Sequence, residues 1–66
     1  MKLPEDREPV RLNLTGVDGN AFAILGAFSD AASRQGWSRD DIKTIIDEAT
    51  DGDYDHLLQT IVSVTR

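Results

Sequence analysis

None of the 66 residues is cysteine, so a chain this short must hold its fold without a disulfide. A domain of this size buries only roughly 60% of the surface that its unfolded form exposes. The remaining aids are a bound metal or association with another chain. Lack of thiols also removes thiolate zinc sites and cysteine nucleophiles, and it fits a reducing compartment. There is room for one domain. No apolar run approaches the roughly 18 residues that span a bilayer. Residues 1–9 carry two prolines and alternating charges with no signal-peptide core, and read as an extended arm. The expected location is the cytoplasm, with no membrane contact.

Periodicity supplies the architecture. Val10, Leu12 and Leu14 alternate with polar residues, which predicts a half-buried strand over about 10–14. Asp18 is the expected cap of a first helix over about 19–35, with Val17 and Phe22 as its hydrophobic staple. Ala21, Ile24, Leu25, Phe28 and Ala32 recur at helical spacing, and Phe22 widens their stripe. Gly36 suits a left-handed stop. Ser38 caps a second helix over about 39–50, whose buried face is Ile42, Ile45, Ile46 and Ala49, with a Trp37–Ile42 staple at its start. Gly52 is the expected stop of that helix and Asp53 the cap of a third over about 54–63. Tyr54, Leu57, Leu58, Ile61 and Thr65 share one face. The β-branched stretch 60–65 fits either helix or strand. The expected fold is therefore mainly α, with a short N-terminal strand, three helices and a single domain over 10–66. Its expected core is Phe22, Leu25, Phe28, Trp37, Ile42, Ile45, Ile46, Leu57, Leu58 and Ile61. Glycine inside a helix costs about 1 kcal/mol against alanine. The small-residue patch Ala23, Gly26 and Ala27 thus calls for another backbone beside it, either helix three or helix one of a second subunit.

Charge is unevenly placed. The net charge is −5, yet residues 1–39 balance, and residues 40–55 set seven carboxylates against Lys43 alone. A field of this sign repels phosphate backbones and disfavours direct nucleic-acid binding. The same acids give a helix-turn-helix reading the wrong sign.

Catalytic and metal patterns are incomplete. Asp51, Asp53 and Asp55 open like a calcium loop, but the sixth position is His56 instead of glycine and the twelfth Val62 instead of glutamate. His56, the only histidine, follows Asp53 by three residues, so the two are candidate metal ligands if further acids converge on them. Asp55 and His56 are neighbours whose side chains diverge on a helix, and no serine sits in a nucleophile elbow. Gly16 to Asn20 precedes a helix start but lacks the Gly-Lys-Ser/Thr ending of a phosphate loop.

The runs Gly16-Val17-Asp18-Gly19-Asn20-Ala21-Phe22 and Gly52-Asp53-Tyr54-Asp55-His56-Leu57-Leu58 resemble those of a small protein group of bacteria and phages. There, D-G-N-A-F and G-D-Y-D-H-L-L stretches recur in the same order. The resemblance covers residues 10–66 and implies kinship without an activity.

The function expected from these features is a non-enzymatic protein-interaction module without a cofactor, a candidate homodimer, that presents residues 40–55 to a basic protein. Asp47, Glu48, Asp51, Asp53 and Asp55 would form that face. The alternative is a metal-dependent hydrolase or metal sensor built on His56 and nearby aspartates. A third reading is an inhibitor whose carboxylates imitate nucleic-acid phosphates.

Overall fold

A computed structural model describes residues 8–66; the expected arm lies outside the described residues except for Glu8 and Pro9. A 3-10 turn at Leu14–Gly16 precedes three helices, α1 (Ala21–Arg34), α2 (Arg39–Ala49) and α3 (Tyr54–Ser63). Among the described residues, no helix is long and apolar enough to cross a membrane.

Local signals place the helix ends. Asn20 caps α1, its Oδ1 accepting from the Phe22 and Ala23 amides at 2.8 and 3.4 Å. Asp18 is not the cap. Its carboxylate accepts from Asn20 N at 3.0 Å and forms the turn that presents Asn20. At the other end Gly36 adopts φ +98°. Trp37 N donates to Ala32 O at 2.9 Å and Gly36 N to Ser33 O at 3.1 Å, the paired bonds of a Schellman stop. Ser38 Oγ accepts from Asp41 N, and Asp53 Oδ1 from His56 N, so both of these expected caps form. Gly52 does not take a left-handed conformation; Thr50 is the C-cap of α2.

The core is built around fully buried Val10, Phe28, Ile45, Ile61 and Val64. Phe28 and Trp37 meet edge to face, with ring centroids 5.8 Å apart and planes at 87°. Leu25, Ile46 and Leu58 are partly buried and pack against this cluster. Phe22 departs from the expectation: 85% of it is exposed. The buried line of α1 is Ile24, Phe28 and Ala32. Phe22 stands two residues before that line, about 200° around the helix, and so faces away. Val17 packs on the core without it. Tyr54 also leaves the expected buried face, with its hydroxyl donating to Gly19 O. A Cβ at Gly26 would meet nothing within 4 Å, so helix three does not supply the backbone neighbour expected there.

The N-terminal strand narrows to one parallel bridge, Val10 with Thr65. Val10 N donates to Val64 O at 2.8 Å and Arg66 N to Val10 O at 2.9 Å. Leu12 N donates to Arg66 O at 3.4 Å, and beyond it Asn13 caps the 3-10 turn, accepting from Thr15 N at 3.0 Å. The alternation survives without the strand: Val10, Leu12 and Leu14 lean inward while Arg11 and Asn13 stay exposed. Residues 60–63 are helical. Thr60 and Thr65 hydroxyls bond back to the His56 and Ile61 carbonyls at 2.8 and 3.0 Å.

Phe28→Ala should cost about 3–5 kcal/mol. Phe22→Ser should stay within about 0.5 kcal/mol of the parent, as surface substitutions do. Urea unfolding followed by far-UV circular dichroism measures both.

Candidate functional site

The acids gather where α2 ends and α3 begins. Asp53 owes its place to capping α3, and Asp55 lies in the first turn, where a helix dipole favours negative charge. Asp55 Oδ2 accepts from Gln59 Nε2 at 3.0 Å. The end of α2 is different. Asp47 and Glu48 occupy its last turn, which carries no basic residue, and Asp51 follows directly. Carboxylates there face the negative end of the macrodipole, an arrangement that costs about 0.3–1 kcal/mol each. Asp47, Glu48 and Asp51, with Thr44, line one open depression of about 420 Å³.

Two side chains, Lys43 and His56, touch this set. Lys43 Nζ lies 2.9 Å from Asp47 Oδ2 on the exposed side of α2. Its amine is held above the ordinary value of 10.5, first by that hydrogen bond and then by the charge of Asp47. Because the folded value is raised, any stabilisation from the pair is present through neutral pH. It is lost as pH climbs through the folded value.

His56 makes a link that sequence spacing did not reveal. Its Nε2 lies 2.9 Å from both Glu48 O and Glu48 Oε2. Both neighbours are acceptors, so Nε2 carries the hydrogen and donates. The contact joins the last turn of α2 to the first of α3 across eight residues. Gly52 permits it, since a Cβ there would meet the His56 Cβ, Cγ and Cδ2 at 3.0 Å. Glycine at position 52 was the available signal, readable as close approach instead of a stop.

Asp53 and His56, the candidate metal pair, thus engage different partners: the Asp53 carboxylate holds a backbone amide and the His56 ring turns to Glu48. Among the described residues no group of three or more His, Cys, Asp or Glu side chains gathers as an ion site. Beside His56, a second depression of about 350 Å³ is lined by Glu48, Gln59, Thr60 and Ser63. The Ser63 hydroxyl donates to Thr60 O at 2.6 Å and that of Thr60 to His56 O, so both hydroxyl protons point at backbone carbonyls. What the arrangement offers chemically is negative charge and acceptor oxygen on an open surface, suited to ammonium or guanidinium groups.

No family model matches the chain, and neither curated proteins nor solved structures give a significant match.

Gly52→Ala should destabilise the chain by about 1–2 kcal/mol, in the range of overpacked sites. It should also shift the His56 ring resonances, read by urea unfolding and proton–carbon NMR. Asp47→Asn should return the Lys43 amine toward 10.5, followed by its Cε chemical shift through an alkaline titration.

Proposed function

We propose that this protein is a non-enzymatic interaction module that receives a basic protein segment at the C-terminal end of α2 and the turn leading into α3. One observation carries the reading: Asp47, Glu48 and Asp51 surround a single depression at the helix end where the dipole opposes them. Local rules that a fold breaks tend to mark functional surface. Lys43 and His56 each answer one carboxylate, while the local charge stays strongly negative. Asp53 and Asp55 extend the acidic surface around the start of α3.

Partner lysines and arginines would relieve that repulsion, and charge of this density steers them in from solution. Such binding weakens as salt screens exposed pairs beyond about 10 Å at 0.1 M ionic strength. The chemistry required of the partner is a run of basic side chains on an accessible segment. The cysteine-free composition supports a cytoplasmic setting for the encounter.

Asp51→Lys separates this reading from a structural one. Placing a cation at the end of α2 should raise stability by about 0.3–1 kcal/mol. It should also weaken binding of a short oligo-arginine peptide, measured by calorimetry at low salt. On the parent chain, the peptide should perturb amide resonances of residues 44–55 first. Equal affinity for parent and variant, or perturbations centred on α1, would refute the assignment.

A further inference from the structure

Among the described residues, the most exposed large apolar side chain has no role in the acidic site. Phe22 projects from the first turn of α1 and is 85% exposed. Farther along the same helix lies a depression of about 470 Å³ with an apolar floor from Leu12, Ala27 and Ala31 and a rim that includes Arg11 and Arg34. One wall is the N-terminal segment, which Gln35 ties to the end of α1. Arg11 N donates to Gln35 Oε1 at 2.9 Å, and Gln35 Nε2 donates to Pro9 O at 3.0 Å. The hollow is therefore a built feature of the fold, and its volume accommodates an aromatic ring.

We propose that a second copy of this chain docks across α1, with Phe22 of each copy seated in the other's Arg11–Leu12–Ala27–Ala31–Arg34 depression. Projection and hollow lie on one molecule, on either side of Gly26, which is the requirement of a two-fold interface in which each contact occurs twice. The position of a Cβ on Gly26 is open, so the crossing helix can approach closely there.

Charge selects a copy of this chain as the occupant. The Phe22 end of the molecule is acidic: Asp18 precedes α1, and the Tyr54 hydroxyl on Gly19 O holds the start of α3, with Asp53 and Asp55, beside it. The rim of the depression is basic by one charge, with Arg11 and Arg34 against Asp30, which pairs with Arg34 at 3.2 Å. A two-fold sets each acidic end against the other copy's basic end, and it lets an arginine lie on the Phe22 ring. The depression lined by Asp47, Glu48 and Asp51 belongs to α2 and its following turn and stays outside the contact, and only Asp53 and Asp55 at its margin are shared.

Sedimentation equilibrium on the full chain, from micromolar to millimolar concentration, tests the interface. The parent should pass from monomer to dimer over that range. Phe22→Ser should weaken dimerisation by roughly tenfold or more, the loss expected of an aromatic anchor. Ala27→Trp, which fills the hollow, should do the same, with circular dichroism confirming that both variants remain helical. An equimolar mixture of the two variants pairs one intact Phe22 with one intact hollow, and it should dimerise more tightly than either variant alone. A parent chain that is monomeric up to millimolar concentration would overturn the proposal. So would a Phe22→Ser variant that dimerises like the parent, or a mixture no tighter than its components.

Discussion

Three short helices do not by themselves close a core in this chain; the closure comes from its two flanking segments. Val10 and Val64 are both fully buried, and the bonds between residues 10 and 64–66 hold them together. Each valine covers apolar surface that α1, α2 and α3 leave open. They are two of the eleven buried apolar residues among those described, and without disulfides each buried side chain counts in a domain of this size. The local order of the helix ends, and hence of the acidic surface between α2 and α3, rests on this closed interior.

The elements that sequence made legible are those decided within a few residues. Ser38 and Asp53 cap α2 and α3 because a side-chain oxygen reaches amides only three residues on. Gly36 ends α1 because a left-handed residue is needed there and glycine adopts it freely. Helical spacing likewise picked out Ile24, Phe28, Ile42, Ile45, Leu57 and Ile61 as buried. Distant contacts were not legible in this way. Phe22 reads as core because it stands three residues before Leu25, yet it lies about 200° around the helix from Ile24, and the line that α1 buries, Ile24, Phe28 and Ala32, leaves it outward. A lone strand at 10–14 needs a partner, and the C-terminal residues or a second copy could both supply one; segments more than fifty residues apart leave no local pattern that chooses the Val10–Thr65 bridge.

The site was legible as charge and illegible as geometry. Composition placed the acids between positions 40 and 55, and the end of α2 does bring Asp47, Glu48 and Asp51 around one hollow. The His56–Glu48 contact needed the reversal of chain direction between two helices, which spacing does not encode. It changes how the lone histidine is read, from a free side chain near Asp53 to a brace between α2 and α3. Asp53 and Asp51 also separate in kind: one carboxylate sits where a helix dipole welcomes it, the other where the dipole resists it.

The amide of Gln35 has a consequence for solubility. On one side of the N-terminal segment, Val10 bonds to residues 64 and 66; on the other, Arg11 N and Pro9 O bond to that single side-chain amide. Gln35 thus supplies one acceptor and one donor where a neighbouring strand would supply a peptide unit. Both borders of the segment are occupied at this level, although only one has a backbone beside it. An extended stretch with an open border invites further strands to add on and seeds aggregation. Here one glutamine blunts that template.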